Sequence, residues 1–158
     1  MKTRTIIIAV QAFLSLAVFF TFVYSIEQAG NSFLRLFNLL LIIFFTNKVA
    51  KENAAEIYSA GYLSNIISLF RFNALIVLLV TISLAVFINY IDPTFAAAHG
   101  NNFLASISIA SNGELLAAVA IEGLSASVVV SLGTLQFWKE TGGSKLKSAQ
   151  EYFRAEEL

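Results

Sequence analysis

Apolar residues are grouped into long runs along the chain, and short polar segments separate one run from the next. The runs cover residues 5–26, 33–47, 72–91 and 115–138. A helix of about 20 apolar residues crosses the hydrocarbon core of a bilayer, and the short second run is expected to extend into its flanks. The pattern predicts an all-α integral membrane protein, with a bundle of four transmembrane helices over residues 1–138 and a cytoplasmic tail over residues 139–158.

The first run follows two basic residues, as the core of a secretory signal peptide does. It is longer than the roughly 7–15 apolar residues of such a core, and no A-x-A cleavage site follows it. We therefore interpret it as the first membrane span.

The segment 48–71 between the second and third spans is polar with a regular apolar component. Apolar and aromatic side chains recur at spacings of three and four: Ala55, Tyr58, Tyr62, Ile66 and Phe70. This spacing predicts an amphipathic helix at the cytoplasmic surface of the membrane. An extension of the two neighbouring helices into the segment accounts for the same spacing equally well.

Residues 94–113 form the most polar connection on the other side and are expected to be a loop. Asp92 and Pro93 predict the end of the third span. Asn112 is the expected N-cap of the fourth helix, with Glu114 in its first turn, where the helix dipole favours a carboxylate.

The tail combines a flexible segment with a helix-forming one. Residues 141–144 read Thr-Gly-Gly-Ser and predict a break. The segment 145–158 is charged, and Leu146, Ala149 and Phe153 share one side of a helix there. With Lys145, they form the surface that we expect to dock a protein partner.

Basic residues divide the connections into two groups. The N-terminus, the middle segment and the tail carry nine of the ten lysines and arginines, and only Arg35 belongs to the other side. Cytoplasmic connections of membrane proteins are enriched in Lys and Arg. The distribution predicts that both termini and residues 48–71 are cytoplasmic and that residues 94–113 are external.

The composition excludes several classes of function. The chain has no cysteine and one histidine, and its formal net charge is zero. Thiolate chemistry, cysteine-based zinc sites and attraction of nucleic acid by charge are therefore not expected. His99 is expected to be a solvated loop residue. The sequence contains no nucleophile-elbow motif, no P-loop and no dinucleotide-binding motif, so we expect neither an enzyme nor a cofactor.

Glu122 is the one carboxylate well inside an apolar run, and a charge in hydrocarbon is a functional candidate by default. It predicts an ion or proton site, or a hydrogen bond that fixes helix packing. Gln11 and Gln136 are further polar candidates for such a site.

Small residues recur every four positions beside Glu122, at Gly123, Ser127 and Ser131. Such a series lets two membrane helices approach closely. It predicts a packing face within one chain or between chains of a homo-oligomer.

These features favour a non-enzymatic membrane anchor, sensor or scaffold subunit. It would self-associate and dock a cytoplasmic or membrane partner through its middle segment and tail, for instance in a membrane stress or defence complex. One alternative is a homo-oligomeric ion channel or proton-coupled transporter that uses Glu122. Another is an accessory subunit of a large respiratory or secretion complex. The expected location is a bacterial inner membrane.

Overall fold

A computed structural model of the chain describes residues 3–28, 31–52, 62–99 and 111–156, and for residues 139–156 it describes the backbone. The described residues contain no strand. They form five helices: α1 Thr3–Ser25, α2 Ser32–Glu52, α3 Tyr62–Tyr90, α4 Phe95–His99 and α5 Asn112–Glu156. The predicted all-helical class is confirmed.

Four long helices run up and down in a bundle, and α3 and α5 form the most extensive pair. Helix α2 contacts α1, α3 and α5, whereas α1 and α5 are diagonally opposite. The start of α1, the end of α2, the start of α3 and the Trp138 region of α5 meet at one end, which we call the Trp138 end. The other end is the Phe95 end.

Among the described residues, three helices are long and apolar enough to cross a membrane, namely Thr3–Ser25, Leu63–Tyr90 and Asn112–Trp138. Helix α2, which includes the predicted second span, is not among them. Large apolar side chains nevertheless cover the outside of all four long helices; Val18, Phe33 and Val129 are each at least 70% exposed. Extended apolar surfaces of this kind are rare on water-soluble monomers, so the chain is a membrane protein by both criteria.

The interior has two apolar layers. At the Trp138 end, Phe72, Ile76 and Leu69 of α3 pack with small and aliphatic residues of α1 and α2. At the Phe95 end, the rings of Phe20, Tyr24, Phe87 and Phe95 lie 5.0–6.3 Å apart, several of them edge to face, which is a favourable aromatic geometry.

Helix α4 lies where the sequence predicted only a loop. Asp92 Oδ1 accepts hydrogen bonds from the backbone N of Thr94 at 3.0 Å and from its hydroxyl at 2.6 Å. Asp92 Oδ2 accepts another from the Tyr24 hydroxyl at 3.1 Å. The Asp92–Pro93 pair that ends α3 therefore also starts a new turn, and Phe95 is buried against the bundle.

Helix α5 starts at Asn112, the residue that was expected to be its cap. Ser111 Oγ accepts a hydrogen bond from the backbone N of Glu114, whose carboxylate accepts one from the backbone N of Ser111. This reciprocal arrangement is a capping box, so Ser111 is the N-cap and the assignment of Asn112 was wrong. The predicted place of Glu114 in the first turn agrees with the structure.

The break expected at residues 141–144 is absent, because α5 continues through both glycines to Glu156. A glycine inside a helix costs about 1 kcal/mol relative to alanine. The helix-forming residues on either side outweigh that cost in the structure, and the bundle and the tail share one 45-residue helix.

The middle segment is shared between its neighbours wherever it is described. Helix α2 extends to Glu52 and α3 begins at Tyr62, ten residues before the predicted span. Ala55 and Tyr58 lie outside the described residues. A separate amphipathic helix between α2 and α3 therefore stays a prediction.

Candidate functional site

Four buried polar side chains connect three helices inside the bundle. They are Thr46 of α2, Asn73 of α3, and Ser127 and Ser131 of α5, each no more than 1% exposed. The Thr46 hydroxyl donates to Asn73 Oδ1 at 2.7 Å, and Asn73 Nδ2 donates to Ser131 Oγ at 3.1 Å. Asn73 thus joins α2 to α5. We call these four residues the polar cluster.

The hydroxyl groups of the polar cluster also have acceptors on their own helices. Ser131 Oγ donates to the Ser127 carbonyl and Ser127 Oγ to the Gly123 carbonyl, both at 2.7 Å. Thr46 Oγ1 lies 2.7 Å from the Ile42 carbonyl. Its single proton serves either this carbonyl or Asn73 at one time. Each side chain of the polar cluster therefore has at least one hydrogen-bond partner within the protein, which reduces the cost of burying it away from water.

The chemistry of the polar cluster is that of a helix clamp. Its partners are hydroxyls, one amide and backbone carbonyls, and none of these is a base able to activate a serine. Hydrogen bonds between membrane helices contribute about 0.6 kcal/mol each on average and up to about 1.7. The cluster sets how α2, α3 and α5 align along their axes.

Gly123 allows α5 to approach α3 closely. A Cβ atom placed on Gly123 would lie 2.9 Å from both γ-carbons of Val77. Gly133, two to three turns further along α5, has no atom within 4 Å of the equivalent position. Of these two glycines, Gly123 is therefore the one at which α5 lies against α3.

A second group of polar contacts joins the helices at the Trp138 end. The Trp138 indole donates to Asn47 Oδ1 at 2.6 Å and links α5 to α2. The Lys48 ammonium donates to Gln11 Oε1 at 3.3 Å and links α2 to α1. The end of α2 is therefore connected to both α5 and α1.

The predicted site residues lie apart from one another. Glu122 and Gln136 are both on the exposed side of α5, but about 21 Å apart along the helix. Gln11 lies at the Trp138 end beside Lys48, and Trp138 is about 24 Å along α5 from Glu122. The three residues do not form one site within the chain.

The small-residue series packs inside the chain. Ser127 and Ser131 are buried, and Gly123 meets Val77 of α3. This series is consequently occupied within the protomer. The docking surface stays a prediction, because the structure does not describe the side chains of its four residues: Lys145, Leu146, Ala149 and Phe153. The side chain of His99 is not described either.

Asn73 and Thr46 were not singled out from the sequence, because the predicted spans placed both near membrane edges. Asn73 is the second residue of the predicted span 72–91, where a polar residue needs no explanation. Helix α3 actually begins at Tyr62, so Asn73 is the twelfth residue of the helix rather than a residue at its start. A polar residue inside a long apolar helix would have been a signal.

Within the described parts of the chain, no three His, Asp or Glu side chains are grouped closely enough to hold a metal ion. Comparison with known proteins found no matching family, no similar curated protein and no similar solved structure.

Replacing Gly123 with alanine should destabilise the bundle, because the new methyl group would meet the stiff Val77 side chain. Overpacking of this kind costs about 1–3 kcal/mol. Gly133→Ala is the matched control and should be neutral or stabilising by up to about 1 kcal/mol. Unfolding equilibria in mixed micelles measure both. The double variant Gly123→Ala/Val77→Ala should recover part of the loss; equal effects of Gly123→Ala and Gly133→Ala would contradict the close contact.

Replacing Asn73 with leucine should weaken the bundle by about 1–2 kcal/mol, because both interhelical hydrogen bonds of the polar cluster are lost at similar side-chain volume. Asn89→Leu on the same helix is the control, since Asn89 is exposed and bonds only the Ala85 carbonyl of its own helix. The same unfolding assay applies. A loss no larger for Asn73→Leu than for Asn89→Leu would show that the cluster does not hold the helices.

Proposed function

We propose that the chain is a non-enzymatic, four-span membrane protein with both termini in the cytoplasm, and that the cytoplasmic end of α5 docks a protein partner. The observation that carries the proposal is the continuity of α5. One helix runs from Asn112 through the bundle, past the polar cluster, to Glu156.

Several features support α2 as the fourth span. Its 21 residues correspond to about 31 Å of helix, close to the thickness of the hydrocarbon core. Its outward side carries large exposed apolar residues over most of its length: Phe33, Leu36, Phe37, Leu40, Ile43 and Phe44. Its inward side contacts α1, α3 and α5. A helix packed this way shares the environment of its neighbours.

The distribution of charge supports the orientation. Basic residues concentrate toward the Trp138 end: Arg4 lies in the first turn of α1, Lys48 and Lys51 lie near the end of α2, and Arg71 lies in the third turn of α3. The positive-inside rule makes this the cytoplasmic end. Trp138 itself suits the interface there, because its indole has an apolar body and a polar N–H.

The segment of α5 beyond Trp138 is the proposed docking arm, residues 139–156. It extends the helix by about 27 Å. Leu146, Ala149 and Phe153 fall on one side by their spacing, and Lys145 adjoins them. An amphipathic helix of this kind fits the apolar groove of a partner, with the charged residues at the rim.

The docking arm also offers a route for signals. A rigid helix that is clamped inside the bundle transmits a displacement of its outer end better than a hinged tail would. This arrangement supports a scaffold or sensor subunit over a passive anchor. Which complex it serves, including a stress, defence, respiratory or secretion complex, depends on the partner.

The channel alternative requires an oligomer. Glu122 lies on the exposed side of α5, with the exposed Ile121 beside it, and the small-residue series is already used within the protomer. A Glu122-lined pathway would therefore form only between copies that meet through this outward side.

Substituting the apolar side of the docking arm should abolish partner binding. The double variant Leu146→Glu/Phe153→Glu should no longer cross-link, in native membranes, to the partner protein that cross-links to the wild-type chain. The reason is that a carboxylate cannot enter an apolar groove. The control is Ala155→Glu, which adds a charge on the opposite side of the same helix. Persistent cross-linking of the same species by the double variant, with an equally stable bundle, would refute docking through this surface.

A further inference from the structure

A cleft of about 230 Å³ opens between α1 and α2 at the Trp138 end. It is lined by Arg4, Ile7, Ile8, Gln11 and Lys48. Two cations from different helices thus line one space, together with an amide and two aliphatic side chains. The proposed docking function makes no use of this cleft.

The described residues that line the cleft include two cations and no carboxylate. Among the residues that the structure describes, no carboxylate forms an ion pair with Arg4 or Lys48, and Lys48 donates to the neutral Gln11 amide. An ammonium has three donors and a guanidinium five, so both side chains retain donors for an anion. A phosphate group suits such a pair, since it accepts charge-assisted hydrogen bonds on several oxygens.

The position of the cleft selects the source of the phosphate. Lys48 follows Asn47, whose Oδ1 accepts the hydrogen bond of the Trp138 indole, and tryptophan is enriched at the membrane–water interface. The cleft therefore lies at the depth of lipid headgroups, if the membrane placement proposed above is correct.

An apolar strip leads from the cleft toward the middle of the bundle. Ile7, Leu14 and Val18 share one side of α1 with Gln11, at spacings of three and four. These three aliphatic side chains are 52%, 54% and 70% exposed. The surface thus changes from cationic to apolar in the order of a phospholipid, headgroup first and acyl chain next.

We propose that this cleft binds the phosphate of an anionic phospholipid, with Arg4 and Lys48 as its ligands and an acyl chain along Ile7, Leu14 and Val18. Basic pockets between membrane helices on the cytoplasmic side are suited to such headgroups. The bound lipid bridges α1 and α2 at the end where Lys48 and Gln11 already meet.

Native mass spectrometry of the delipidated full-length protein tests the proposal, with phosphatidylglycerol and phosphatidylcholine as probes. Wild-type protein should bind phosphatidylglycerol at least about tenfold more tightly than phosphatidylcholine. Arg4→Gln alone should lower that affinity about fivefold, and Arg4→Gln/Lys48→Gln about 30-fold. The charge-conserving pair Arg4→Lys/Lys48→Arg should keep most of it, which separates lost charge from misfolding.

Arg71→Gln is the matched control, because Arg71 is an exposed cation at the same end that does not line the cleft. An equal loss with Arg71→Gln, or equal binding of the two lipids, would overturn the proposal in favour of general attraction to the surface. Displacement of the lipid by millimolar inorganic phosphate would overturn it in favour of a free anion. These results are independent of the orientation in the membrane, so this proposal and the proposed function can fail separately.

Discussion

The Asn73 amide is the interaction on which the arrangement of the bundle depends. Hydrocarbon offers no hydrogen-bond partners, so a buried polar side chain of a membrane helix is stabilised when other protein groups supply them. Asn73 has such partners in Thr46 of α2 and Ser131 of α5. Apolar contacts can slide along a helix by a turn at modest cost, whereas these hydrogen bonds are made at one alignment.

That alignment fixes the features at both ends of the bundle. With Ser131 opposite Asn73, Gly123 meets Val77, and the helices come close enough to bury both serines. Directly after Thr46, Asn47 contacts Trp138 and Lys48 contacts Gln11. The same packing places two cations at the mouth of the α1–α2 cleft and directs α5 beyond the bundle.

The sequence was sufficient for the helical class and for the approximate positions of three apolar helices long enough to cross a membrane, because apolar runs of that length report directly on burial in lipid. It was insufficient where short-range capping decided the outcome: Ser111 replaced Asn112 as a cap, and Asp92 with Thr94 began α4. The early start of α3 hid the position of Asn73 inside that helix. The helix-breaking effect of Gly142 and Gly143 was overestimated, since the low helix propensity of two glycines is outweighed by the helix-forming residues on either side.

The candidate residues show the same division. Spacing along α5 identified the face that carries Gly123, Ser127 and Ser131, since helical geometry alone determines which residues share a side. It left open which side faces the interior, and Glu122 lies on the exposed one. Contacts between residues distant in sequence, such as Thr46 with Asn73 or Lys48 with Gln11, depend on the packing of whole helices and left no local signal.

The most direct test of the account asks on which side of the membrane each end of the chain lies. The chain has no cysteine, so the single variants Thr3→Cys, Ala97→Cys and Ser144→Cys report one position each. In intact cells, a membrane-impermeant maleimide should label position 97 alone, and positions 3 and 144 should react only after lysis. Labelling of positions 3 and 144 from opposite sides would mean an odd number of spans. It would remove α2 from the membrane and contradict the account.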